Sequence, residues 1–265
     1  MDAATRRRDR LADLVASRGF IRVRDAAGIL GVSDVTIRGD LSALEAGGGV
    51  VRIHGGAMPR RDSDTENTIE QSVTVAADAK RDIGIAAAAL VSSGQSVILD
   101  VGSTALAVAV ALVGRTDLED LSIITNGLSI ALALEPALPR FTVVVTGGTL
   151  RAQQHSLVNP GASTFLESLH ADVAFIGCNG VDAQRGVTNV NYPEAEVKRR
   201  MMLSSKRRIL IADAEKLGQS HLGVIAAASE FDVLITSEKA AADQVERLRA
   251  TGLDVHIAGT SRALG

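Results

Sequence analysis

The chain has no tryptophan and a single tyrosine among its 265 residues, and aromatics make up only 2% of it. Base-stacking platforms, in RNA-binding sheets or single-strand-binding grooves, need exposed rings, so those classes are excluded. Cysteine occurs once, at Cys178. That rules out an intrachain disulfide framework and a zinc site of the paired CxxC type, and it fits a reducing compartment. His54, His155, His170, His221 and His256 show no HxxxH or HExxH spacing, so no metal is expected, and no cofactor either. Long apolar runs are missing as well. Stretches such as 83–91 are too short and too interrupted by glycine to span a bilayer, and no apolar h-region follows Met1. The expected address is the cytoplasm.

What is present is a globular composition, 46% hydrophobic against 22% charged, in a length that allows one large domain or two smaller ones. Charge is distributed unevenly. Residues 1–61 hold 11 arginines, no lysine and 7 acidic residues, a balance of +4 that leaves −7 for the remainder of a chain whose net charge is −3. A small basic head before a larger acidic body points to nucleic acid at one end.

The head has the pattern of a winged helix-turn-helix. Leu11, Leu14 and Val15 fall at helical spacing within 6–16, and Arg18 and Gly19 close that helix. Residues 20–23 read as a short extended piece. Asp25 is expected to cap a brief helix over 26–30 that stops at Gly31, and Ser33 to start the next. In that second helix Ile37, Leu41 and Leu44 share one buried face, which leaves Thr36, Arg38 and Ser42 off it. Two helices across a short glycine-containing turn can place the second in a major groove. Residues 50–54 then read as a strand, ended by Gly55-Gly56, that suits a wing carrying Arg52 and His54 towards DNA. Arg6, Arg7 and Arg8 stand where cations oppose a helix dipole, at a cost of a few tenths to about 1 kcal/mol each, and a DNA phosphate would rationalise them.

Residues 59–78 are polar with little periodicity and read as a linker between a head at 1–58 and a body at 79–265. The body alternates short apolar runs ending at Asp100, Thr125, Thr146, Gly177 and Asp213 with helical stretches, and two further strand-like runs follow at 232–236 and 254–258. This predicts a doubly wound, mostly parallel α/β domain with ligands at the strand C-termini. At 100–104, Gly102, Ser103 and Thr104 open a helix directly after a strand, so backbone amides, two hydroxyls and a dipole converge on an anion site. Thr125 and Asn126, with Gly147 and Gly148, add donors at neighbouring strand ends. No Walker pattern or spaced dinucleotide glycines occur, which counts against nucleotide hydrolysis and hydride transfer. Glu194 and Lys198 stand i, i+4 on a helix, where position alone suggests a surface ion pair. Cys178, with no histidine near it in sequence, reads as an inert thiol.

Several stretches resemble the DeoR family of bacterial transcription regulators. In the head these are Leu30-Gly31-Val32-Ser33, Thr36-Ile37-Arg38, Asp40-Leu41, Leu44-Glu45 and 52–57. In the body they are Leu99-Asp100-Val101-Gly102-Ser103-Thr104, Thr125-Asn126-Gly127, Thr146-Gly147-Gly148, Phe175-Ile176-Gly177, Glu194-Ala195 and Lys198-Arg199. The resemblance implies a repressor that binds double-stranded operator DNA as a homo-oligomer and responds to a phosphorylated sugar or polyol. It also implies an effector pocket drawing on Asp100, Glu194, Lys198 and Lys216, and a sensor resembling the fold of sugar-phosphate isomerases. Three places depart from the family pattern. Gly39 replaces an arginine inside the second helix, Gly47-Gly48-Gly49 replaces bulky aliphatics before the wing, and Ala214 and Glu215 replace small polar residues in the segment from Asp213 to Lys216. An isomerase-type enzyme with an accessory DNA-binding head is the alternative, but a DNA-reading head has no use in an isomerase, so no catalytic residue is assigned. A protein-interaction head would leave the basic charge unexplained.

Overall fold

The computed structural model describes residues 3–18, 20–53, 55–59, 66–158 and 160–259. They form two compact units, Met1–Thr65 and Glu66–Gly265.

In the first unit, α1 (Ala3–Arg18), β1 (Ile21–Arg22), α2 (Val23–Leu30), α3 (Asp34–Ala46), β2 (Val50–Ile53) and β3 (Gly56–Pro59) form a three-helix cluster and an antiparallel sheet of order β1-β3-β2. Leu11 and Val15 of α1, Ala26 of α2, and Ile37 and Leu41 of α3 meet in one core. Gly31 ends α2 with φ +68°, a left-handed conformation that glycine adopts without strain, and Ser33 caps α3 by accepting from the Thr36 amide at 3.2 Å. Two boundaries differ from expectation. α2 begins at Val23 with Arg22 at the cap position, so Asp25 lies in the first turn, where its charge favours the helix dipole without capping it. α1 begins at Ala3, which moves Arg6, Arg7 and Arg8 inside the helix.

The second unit starts with α4 (Ile69–Thr74), α5 (Ala77–Ala88), β4 (Ser96–Leu99), α6 (Ser103–Gly114), β5 (Leu121–Thr125), α7 (Leu128–Leu134) and β6 (Phe141–Val145). It continues with β7 (Thr149–Arg151), β8 (Ser156–Val158), α8 (Gly161–Glu167), β9 (Ala171–Gly177), β10 (Gly180–Asp182), β11 (Gly186–Asn189) and α9 (Tyr192–Leu203). β12 (Ser205–Ile211), β13 (Gly223–Ala226), β14 (Val233–Thr236), α10 (Ala242–Arg249) and β15 (Asp254–Ile257) complete it. Where the sequence reads as a linker out to residue 78, the chain forms α4. Thr68 accepts from the Gln71 amide at 3.3 Å while Gln71 Oε1 accepts from the Thr68 amide at 3.0 Å, a reciprocal cap.

Seven parallel strands make the main sheet in the order β15-β14-β12-β9-β4-β5-β6. Alternate residues of each strand serve opposite faces. Val97, Leu99, Ile209, Ile211, Val233 and Ile235 pack with α5 and α6. Ile98, Leu210 and Leu234 pack with α8, α9 and α10. Burial on both faces is what a parallel sheet requires, and it explains the nearly continuous apolar runs in the sequence. The chain leaves β4 in one direction to β5 and β6, then returns to β9 on the other side. The strand order therefore reverses between β4 and β9, and a crevice forms at such a reversal beyond the strand C-termini. Two smaller sheets, β7-β8 and β10-β11-β13, accompany it, and β8 meets the end of β5 through the Leu157 amide donating to the Asn126 carbonyl at 2.7 Å.

Candidate functional site

In the first unit, α3 turns Val35 (76% exposed), Arg38 and Ser42 to solvent. Ser42 Oγ donates to the Arg38 carbonyl at 2.9 Å and accepts from Arg52 Nη1 at 2.5 Å, which ties the helix to the wing. Glu45 accepts from the Arg52 amide at 3.1 Å. Arg38, Leu41, Arg52, Ile53 and Gly56 line a concavity of about 270 Å³ between α3 and the wing. A β-carbon at Gly56 would lie 2.3 Å from the Ile21 carbonyl oxygen, so only glycine lets the wing close onto β1. Gly39 is exposed and a β-carbon there would meet nothing within 4 Å, so no steric demand explains it.

The arginine run has an internal use that the sequence did not suggest. Asp40 is buried in α3, and Arg7 reaches it with Nε to Oδ2 at 2.5 Å and Nη2 to Oδ1 at 3.2 Å. Arg8 Nε lies 3.5 Å from Oδ1. A buried carboxylate needs such partners, so Arg7 and Arg8 join α1 to α3. Arg6 is exposed. His54 lies outside the described residues.

In the second unit the strand reversal carries a buried charged cluster. Asp100 follows β4, and its Oδ2 accepts from the Gly177 amide at the end of β9 (2.8 Å) and from the Lys198 ammonium. Its Oδ1 is buried with no hydrogen-bond partner among the described residues. Lys198 and Glu194 are both buried on α9, whose start is fixed by Asn191 accepting from the Glu194 amide at 3.1 Å. They do not form the surface pair that position alone suggested. Lys198 turns to Asp100, while Glu194 Oε2 accepts from Arg151 Nη1 at 2.8 Å. Arg151 also binds Glu66 through Nη2. Burial pushes the Glu194 carboxyl up to about 7, against the pull of Lys198 and Arg151 and with the added push of Glu66 and Asp100. Burial also opposes the charge of Lys198, but Asp100 and Glu194 outweigh it and raise that amine.

Other expected residues take graded places. Gly102 has φ +111° with open space where a β-carbon would be, and Ser103 and Thr104 follow it half-buried at the start of α6. Asn126 is buried, with Nδ2 donating to the Leu157 carbonyl at 3.1 Å. Its Oδ1, like Ser156 Oγ, lacks a partner among the described residues. Thr125 is committed to its turn, accepting from the Gly127 amide at 3.0 Å. Asp213 caps the short 3-10 turn that holds Lys216. Both lie within electrostatic reach of Cys178, whose thiol burial pushes up to about 12, an unreactive state at neutral pH. Gly147 and Gly148 are exposed, and Gly148 lets the Val158 carbonyl approach to where a β-carbon would sit at 2.4 Å, a packing role beside β8. Sequence reasoning missed Arg151, Glu66, Ser156 and Lys80. Arg151 meets partners 43 and 85 positions away, and no local spacing announces such a pair.

A helix-turn-helix head followed in the chain by an α/β unit with a buried polar site at its strand reversal is the organisation of a DNA-binding transcription regulator. Residues 7–61 match the DeoR-like helix-turn-helix domain, and residues 75–238 match the DeoR C terminal sensor domain. The HTH-type transcriptional regulator GlpR of Haloferax volcanii is 34% identical over 94% of this chain and 96% of its own. GolR of Listeria innocua, also an HTH-type transcriptional regulator, is 32% identical over 95% of this chain and 98% of its own. The glycerol-3-phosphate regulon repressor of Escherichia coli K12 is 26% identical over 88% of this chain and 90% of its own. Among solved structures, ribose 5-phosphate isomerase A from Methanocaldococcus jannaschii overlaps at a TM-score of 0.40 with 16% identity, over 53% of this chain and 54% of that one. The chain belongs to the DeoR family of helix-turn-helix transcriptional regulators, and it is not an enzyme.

Proposed function

We propose that the protein represses a sugar or polyol catabolic operon in the cytoplasm, reading operator DNA as a homo-oligomer and answering to a phosphorylated sugar or polyol. The observation that carries the effector half is the set of buried oxygens without a partner among the described residues, Asp100 Oδ1, Asn126 Oδ1 and Ser156 Oγ, around the charged cluster at the strand reversal. Unsatisfied buried acceptors are costly and rare, and a ligand rich in hydroxyls would satisfy them. Lys198, Lys216 and the amides at Gly102, Ser103 and Thr104 supply positive potential for a phosphoryl group. The relative named as a glycerol-3-phosphate regulon repressor supports a ligand of that class.

In the head, Ser33, Thr36, Arg38 and Ser42 face the major groove, while Arg6 and Arg52 meet phosphates. Exposed apolar side chains on α5, α6 and α7, namely Ile85 (57%), Val110 (60%) and Leu132 (70%), support association of copies. Effector binding shifts DNA affinity only through different affinities for two states of the protein. The test is a titration onto labelled DNA from upstream of the protein's own operon, at several salt concentrations, with and without a pool of sugar phosphates. Salt-sensitive, sequence-selective binding that the pool alters is expected. Binding indifferent to the pool would remove the effector, and binding without selectivity would remove the operator.

A further inference from the structure

Residues 66–75 follow directly on the DNA-binding unit in sequence, and they are fastened at the strand-end crevice. Glu66 holds Arg151 with its carboxylate and accepts from Gln153 Nε2 with its carbonyl. Gln154 Nε2 donates to the Asn67 carbonyl at 2.6 Å. At the far end Lys80, itself buried, donates to the carbonyls of Ser72 and Val75 at 2.7 and 2.6 Å. Four of these hydrogen bonds grip the backbone through carbonyl acceptors. The side-chain clamp is different in kind, because Arg151 is shared between two screened carboxylates, Glu66 (9% exposed) and Glu194 (2% exposed).

We propose that Arg151, which pairs with Glu66 in this structure, is an anion-binding residue of the crevice, so that an incoming phosphoryl group takes Arg151 and frees the start of the 66–75 segment. This rests on the reading of the crevice as a phosphorylated-effector site and names the residue through which occupancy reaches the chain leading to DNA. Charge dictates the exclusion. Glu66 and Asp100 already balance Arg151 and Lys198 before Glu194 is counted. A phosphoryl dianion added while Glu66 stayed would meet uncompensated like charge in a water-poor site. Departure of Glu66 to solvent relieves that excess, and the planar guanidinium suits a phosphate at least as well as a carboxylate. The freed carboxylate is also the one closest to water, so its release is the least costly.

Inorganic phosphate is the probe, titrated into the full-length protein and into Glu66→Gln and Arg151→Met variants by calorimetry, with peptide-level hydrogen exchange followed across 66–74. Glu66→Gln should bind phosphate about tenfold more tightly than the parent, Arg151→Met at least tenfold more weakly. Phosphate should speed exchange of 66–74 in the parent, whereas Glu66→Gln should exchange fast from the outset and be unmoved by phosphate. Equal affinities of parent and Glu66→Gln, slowed exchange in the parent, or no phosphate binding by Glu66→Gln up to 100-fold above the concentration that half-saturates a Lys-Arg phosphate site of ordinary millimolar affinity would each overturn the proposal. Should Arg151→Met fail to fold, the Glu66→Gln comparison decides alone. None of these readouts uses DNA, so operator binding indifferent to sugar phosphates would defeat the effector reading while leaving the Arg151 competition standing.

Discussion

Gly39 lies in the middle of α3 with open space around its missing side chain. Replacing it by alanine is expected to stabilise the head by about 1 kcal/mol, the usual helix-interior difference, seen as a higher urea midpoint with an unchanged slope. Glu194 gives a prediction in the other unit. Its folded pKa of about 7 stands above the unfolded value of 4.5, so the folded state keeps a proton that the unfolded state sheds. That contribution is complete below pH 4.5 and is lost as pH rises through 7. Stability of the parent relative to Glu194→Gln should therefore fall between pH 5 and pH 8 by on the order of 1 to 3 kcal/mol, and a flat difference in denaturant midpoints across that interval would contradict the burial argument. At this scale the sequence showed Asp100, Glu194 and Lys198 as candidates but not who pairs with whom. Helical spacing brings Glu194 and Lys198 together, whereas the fold gives each a partner from a distant part of the chain.

Among elements, the contact of α1 with α3 through Asp40 is the one most exposed to disruption. Asp40→Ala leaves Arg7 and Arg8 without their shared carboxylate and should cost about 1 to 3 kcal/mol of head stability. Asp40→Asn should recover part of it, because an amide oxygen still accepts from Arg7. Both are read from thermal unfolding of the full-length protein. Helices were readable from sequence where an apolar face repeats, as in α1 and α3, and main-sheet strands where a continuous apolar run meets a polar residue at its end. The three-residue strands β7, β8 and β10 were not, since they are too short to show alternation and are held by partners and covering chain. α4 escaped for a related reason: its six residues contain one buried apolar side chain, Ile69, and its existence rests on the Thr68–Gln71 cap and the Lys80 anchor.

For the molecule as a whole, each compact unit has its own apolar core. Two unfolding transitions are expected in a calorimetric scan, with Asp40→Ala lowering one and Glu194→Gln displacing the other, because distant substitutions in separate cores act independently. A single transition moved by both variants would show that the units unfold together. The doubly wound class followed from the order of strand and helix signals, yet the strand order did not, since every main strand carries the same two-sided apolar pattern and only packing tells neighbours apart. The place of Tyr192 has an optical consequence. This lone tyrosine opens α9, two positions before Glu194 and six before Lys198, in a chain with no tryptophan to take up its excitation. Its emission is thus a built-in lamp on the helix that carries both charged groups, and a change in the surroundings of the start of α9 can be followed by fluorescence in the unlabelled protein.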